Sequence, residues 1–131
     1  MPLAIRSVLS VLGGFAAMAL FVGVATAAAV RLMLPAASGT PPQPTPAYLA
    51  VNLLYSGLAA FLGGYVAGVI AGRAPAAHAA VLAALVLVMS VLSMRQLQGQ
   101  QPRGYQWTLA VAMPLLVVAG GLVCAALRRN A

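Results

Sequence analysis

Long apolar stretches alternate along this chain with short polar breaks. Four stretches run for about the length of a membrane crossing: 8–30, 48–71, 76–94 and 107–127. A helix needs about 20 apolar residues to cross the hydrocarbon of a bilayer, within a range of roughly 17–25. The stretches are continuous, without the two-residue alternation of a barrel strand, and backbone groups in lipid must bond within their own segment. Each stretch therefore predicts a helix. The expected fold is all-α: an integral membrane bundle of four transmembrane helices, forming a single transmembrane domain over 1–131.

The breaks differ in kind. The first, 34–47, carries Pro35, Pro41, Pro42, Pro44 and Pro46 and predicts an extended Pro-rich loop outside the membrane. The second, around Arg73-Ala74-Pro75, is so short that the second and third spans must form an antiparallel hairpin. The third, 95–106, is a Gln-rich polar loop containing Pro102 and Gly104. Arg6, the apolar run after it and then Ala25-Thr26-Ala27 resemble a signal peptide with a small-residue cleavage site. The run is longer than a signal core, so the first segment is read as a span.

Composition sharpens the picture. Of 131 residues, 63% are hydrophobic and 5% charged, and the chain has seven Arg, no Lys and neither Asp nor Glu. A soluble domain carries charge on about a quarter of its positions, so that class is excluded. Without a carboxylate there is no Ser-His-Asp triad, no glycosidase pair and no carboxylate metal cage. No nucleophile has an evident base beside it, no phosphate-binding loop is present, and the expected role is not enzymatic. Cys124 stands alone, so no intrachain disulfide can form. The arginines are dispersed singly or in one pair between apolar segments, which fits anionic lipid headgroups and not nucleic acid.

Four spans place both termini on one side. Arg6, Arg73, Arg128 and Arg129 fall on that side and Arg31, Arg95 and Arg103 on the other, four against three. The positive-inside rule then predicts N-in, C-in in a bacterial cytoplasmic membrane, with Tyr48, Tyr105 and Trp107 at the outer interface. A bias this small also leaves dual topology open.

Helices in lipid associate through close packing and interhelical hydrogen bonds. The second span carries Ser56, Ala60, Gly64, Gly68 and Gly72 at intervals of four, a small-residue ridge along one face. It marks this span as the central packing element, with the groove used inside the monomer or against a partner chain. The first span offers Ala19-Gly23-Ala27, with Gly13 and Gly14, and the fourth offers Gly120, Gly121, Cys124 and Ala125. Pro114 removes a backbone hydrogen bond and predicts a kink near Ala110.

Polar candidates are few. Asn52 and Tyr55, with Tyr48, share one face of the second span, and the Asn52 amide needs a partner on another helix or on Tyr55 or Ser56. His78 is the one residue titrating near neutral pH, a packing histidine at the interface or else a weak cofactor ligand. No cofactor or metal is expected, since structural metal sites want about four ligands.

The stretch 63–79, with Gly63-Gly64-Tyr65-x-Ala67, Ile70-Ala71-Gly72-Arg73-x-Pro75 and His78-Ala79, resembles a pattern in small uncharacterised bacterial four-helix membrane proteins. The resemblance covers the second and third spans and implies a fold, not an activity. In size and span number the chain also resembles the small multidrug resistance transporters. Those depend on a glutamate in the first helix, and this chain has none. Val51-Asn52 is similar to the V-N motif of the four-helix fluoride channels, but their third-helix Thr-Thr-Phe-Ser run is missing. The favoured expectation is an accessory or scaffold subunit packing with other membrane subunits or with itself. The alternative is a small homodimeric channel or transporter for an anion or neutral solute, lined by Asn52, Tyr48, Tyr55 and the Pro114 kink.

Overall fold

The computed structural model describes residues 2–33, 45–96 and 103–130. These form four helices: α1 Leu3–Met33, α2 Pro46–Ala71, α3 Pro75–Gln96 and α4 Arg103–Arg129. All four are long and apolar enough to cross a membrane. At 1.5 Å per residue the 26 residues of α2 span roughly 39 Å, against about 30 Å of hydrocarbon, so its ends reach the headgroups. The outer surface is apolar: Leu20, Leu54 and Leu115 are 71%, 69% and 65% exposed. Surfaces of that kind are stable against lipid and not against water. The chain is a multi-pass membrane protein built as a four-helix bundle.

The helices extend past the apolar stretches, because hydropathy marks the hydrocarbon-crossing part and not the turns beyond it. The expected loop 34–47 gives its last residues to α2: Thr45 is the N-cap, Pro46 opens the first turn, and the Tyr48 N–H donates to Thr45 Oγ1 at 3.2 Å. The expected loop 95–106 loses Arg95 and Gln96 to α3 and 103–106 to α4. The rest of both loops, 34–44 and 97–102, lies outside the described residues. α1 continues unbroken through Ala25-Thr26-Ala27, and α4 continues through Pro114.

The hairpin between α2 and α3 turns in three residues. Gly72 sits at φ 73°, which glycine adopts without cost, and Ala74 is held at φ 44°. The Ala74 carbonyl accepts from the His78 backbone N–H at 3.2 Å and bonds the His78 ring at 2.9 Å, which anchors the turn to α3.

α2 is the centre. It buries nine residues along its length, whereas α1, the longest helix, buries only Ser10, Gly14 and Ala29. α2 packs against all three other helices, while among the described residues α1 and α4 have no Cα atoms within 8 Å of each other. The main core lies between α2, α3 and α4, around Ala60, Ala67, Ala79, Leu82, Met113 and Val117. A smaller one, with Ala29, Tyr48 and Tyr55, joins α1 to α2 at the end away from the termini.

Two small-residue ridges on α2 set this arrangement. The ridge Ser56, Ala60, Gly64, Gly68, Gly72 turns toward α4 and the α2–α3 turn. A Cβ on Gly64 would run into the Val117 carbonyl, and one on Gly120 into the Phe61 carbonyl. A Cβ on Gly68 would lie 2.9 Å from both Cys124 Sγ and Pro75. The second ridge, Ala59, Gly63, Ala67 and Ala71, is buried throughout and its glycine meets α1: a Cβ on Gly14 would stand 2.6 Å from the Gly63 carbonyl oxygen. The predicted groove is thus filled inside the monomer. The stripe Ala19-Gly23-Ala27 of α1 is not its partner. All three residues are exposed, and a Cβ on Gly23 would meet nothing within 4 Å. The α1 contribution comes from Gly14, one register away.

Candidate functional site

Polar side chains gather at the two ends of the bundle. At the end away from the termini, α1 and α4 each supply one member of a connected network and α2 supplies two. Tyr55 OH meets Thr26 Oγ1 of α1 at 2.7 Å and accepts from Asn52 Nδ2 at 2.5 Å, and Asn52 Oδ1 accepts from Tyr105 OH of α4. Tyr55 is buried and Asn52 half-buried. Asn52 and Tyr55 are three residues apart on a helix and so face the same way. The third helix of the network, α4, reaches them because the Gly64 and Gly120 contacts let it approach α2 closely.

Each group in the network satisfies another. The Asn52 amide offers its N–H to one phenol and its oxygen to a second, so its desolvation is offset from both sides. Among the described residues no buried side-chain nitrogen or oxygen lacks a hydrogen-bond partner. The arrangement can clamp three helices together, and hydrogen bonds of this kind in membranes average about 0.6 kcal/mol each with a maximum near 1.7.

At the terminal end the chemistry is cationic. α2 carries no basic residue in its last turn, unlike α1, α3 and α4. Its unpaired carbonyls are met from other helices: Arg6 Nε of α1 donates to Ile70 O at 2.8 Å and Arg128 Nη2 of α4 donates to Val69 O at 3.2 Å. Helix C-termini carry about half a negative charge, which guanidinium groups neutralise. In a chain without acidic side chains, the α2 carbonyls supply the counter-charge that an Asp or Glu normally provides.

His78 sits beside this cluster. Ring Nδ1 lies 2.9 Å from Ala74 O and Nε2 lies 2.9 Å from Ser7 Oγ. A carbonyl only accepts, so the neutral ring carries its proton on Nδ1 and accepts from Ser7 through Nε2. His78 thereby ties α3 to α1, and both nitrogens that could ligate a cofactor are engaged. Among the described residues no group of three His, Cys, Asp or Glu could hold a metal. Cys124 is buried against Gly68.

Of the residues singled out by sequence, Asn52, Tyr55 and Tyr48 come together. Ser56, Ala60, Gly64, Gly68 and Gly72 form a packing seam, His78 lies at the other end, and Pro114 lies half-buried in α4, in neither polar cluster. Sequence reasoning missed Thr26 and Ser7 as partners, the second ridge, and Arg6 and Arg128 as caps of another helix. Thr26 carried a signal: it is the one polar side chain between Ser10 and Arg31, and such a group in lipid needs a partner. No protein-family model matches the chain, and neither does any curated protein or solved structure.

Proposed function

We propose that this chain is a non-catalytic subunit or scaffold of a larger complex in the bacterial cytoplasmic membrane, with both termini inside. One observation carries the reading. The glycine grooves of α2 are filled within the monomer, yet α1 keeps a second small-residue stripe, Ala19-Gly23-Ala27, on the outer surface. Close helix approach in lipid depends on such stripes, and this one has no use inside the bundle. α1 buries only three of its 31 residues, which leaves most of its surface for a neighbouring helix. The bacterial setting rests on the resemblance of 63–79 to a pattern in small bacterial four-helix membrane proteins, and the orientation on the arginine bias of four against three. Purification of the chain from native membranes in mild detergent tests the proposal. A stoichiometric partner is expected, and migration alone overturns it.

A second reading is a small homodimeric channel or transporter for an anion or neutral solute. A cleft of about 340 Å³ opens between α1, α3 and the start of α4, with Ser90 and Ser93 on its wall, and supports it. Reconstituted liposomes decide this reading: a leak equal to that of empty vesicles removes it.

A further inference from the structure

The seam between α1 and α3 opens at the terminal end into a groove of about 610 Å³. Both helices run away from the terminal face, so the groove descends into the membrane between them. Its walls are Val8, Val11 and Leu12 on one side and Ala77 and Val81 on the other. From Ser7 to Leu12 it deepens by roughly 7 Å at 1.5 Å per residue. Its upper rim is polar: Arg73, with Ser7 and His78 bonded to each other across the seam.

The charge at this rim has one sign. Arg73 is exposed just past the end of α2, and the Arg6 guanidinium packs over the adjacent Gly72. Arg6 is held there by Ile70 O, and Arg128 by Val69 O on the same helix end. No Asp or Glu side chain exists anywhere in the chain to neutralise these groups. An apolar slot that begins at headgroup depth under a cationic rim complements a molecule with an anionic head and a hydrocarbon tail. Guanidinium groups present paired donors that match a phosphate.

We infer that this groove is a binding site for one acidic phospholipid, with its phosphate on Arg73 and an acyl chain laid between α1 and α3. The Ser7–His78 bond spans the rim beside the headgroup and ties the two helices together at a fixed spacing. The inference rests on the chain lying in a membrane and not on its role as a subunit, so the two fail separately.

Native mass spectrometry of the full chain released from nanodiscs tests it, with phosphatidylglycerol, phosphatidylcholine and glycerol phosphate as probes. The expected result is retention of one phosphatidylglycerol and little phosphatidylcholine, with no displacement by glycerol phosphate. Arg73→Gln should weaken retention about fivefold, since it removes one interfacial arginine. Arg95→Gln, the same charge loss at the other face, should leave it unchanged. Ala77→Phe fills the slot and should abolish retention while leaving Arg73 in place. Circular dichroism of each variant confirms that the helices persist. Equal retention of the two lipids, or an equal effect of Arg73→Gln and Arg95→Gln, overturns the site in favour of general surface charge. Displacement by glycerol phosphate, or full retention in Ala77→Phe, removes the acyl slot.

Discussion

The α2–α4 seam and the α1–α3 seam are both apolar contacts between neighbouring helices, yet one closes to backbone contact and the other gapes at both ends. At α2–α4 the facing residues are Gly64 and Gly68 against Val117, Gly120 and Cys124, and the two backbones touch. At α1–α3 the facing residues include Phe15, Met18, Val86 and Met89, with open volume toward both membrane faces. Lipid tails are as apolar as leucine, so bulk gives no reason for two helices to meet. Surface fit does, because each close atomic contact adds dispersion energy that a gap forfeits. Between these two seams, the small residues mark where the bundle is tight, and the bulky ones mark where lipid or another molecule can enter.

The largest effect should follow from filling the tight seam. A side chain on Gly64 meets a carbonyl oxygen, which has no rotamer to move away. Gly64→Val and Gly120→Val should each cost about 3 kcal/mol or more, the upper end for overpacking. Gly68→Val should cost less, since its nearest neighbours include the Cys124 side chain. Titration of unfolding with sodium dodecyl sulfate in mixed micelles reads these differences. In the loose seam, Ser90→Leu adds comparable volume beside a cleft and should change stability by under about 1 kcal/mol in either direction. Equal losses at Gly64 and Ser90 would erase the distinction between the seams.

Next in size is the clamp that holds the far end of the tight seam. Asn52→Ala removes a donor and an acceptor and leaves the Tyr55 and Tyr105 hydroxyls without it. The loss should be about 1–2 kcal/mol, two bonds of the usual strength in membranes. A double-mutant cycle of Asn52→Ala with Tyr105→Phe isolates the α2–α4 bond. A coupling near zero would show that the glycine contacts alone hold α4 in place.

How much of this was readable beforehand follows from the same contrast. The ridge from Ser56 to Gly72 is visible because its period of four matches one helix face and glycine is costly unless used. The second ridge is written just as regularly, but Ala59, Ala67 and Ala71 look like ordinary alanines in an alanine-rich chain. For Ala19-Gly23-Ala27 the pattern pointed to the wrong face. In a soluble helix the polar side marks outside, whereas the crossing part of α1 is apolar nearly all round, and only Ser10 and Thr26, in register with Gly14, mark its packed face. Side-chain partners were hidden for a related reason. Asn52 announced a need, but Thr26, Tyr105, Ser7 and the crossed arginines are defined by pairings between helices. Helix number and order needed only length and hydropathy, and those depend on no neighbour.

A smaller effect tests the terminal caps. Arg6→Gln removes the guanidinium from Ile70 O and should cost about 0.3–1 kcal/mol, the usual worth of a charge at a helix terminus. Arg128→Gln should cost no more, since its bond to Val69 O is longer. Added salt should narrow the gap to wild type, because the interaction lies at the exposed end of the bundle. A gap that persists unchanged at high salt would assign the arginine to packing over Gly72 instead.

The smallest effect on the isolated chain is expected at Gly23, and it is the most informative about what surrounds the bundle. A Cβ there meets nothing within 4 Å, and the residue is exposed on α1. Gly23→Ala should therefore leave detergent stability within about 0.5 kcal/mol of wild type, as for surface substitutions generally. Gly23→Leu should do the same in the monomer, in contrast to any bulky residue at Gly64. In native membranes the two variants part. A neighbouring helix seated on Ala19-Gly23-Ala27 tolerates a methyl group poorly and an isobutyl group not at all. Recovery of a copurifying partner should fall with Gly23→Ala and disappear with Gly23→Leu, while the amount of folded chain stays constant. If Gly23→Leu destabilises the purified monomer, the stripe is packed inside the bundle after all. If partner recovery is untouched, any association uses another face of α1.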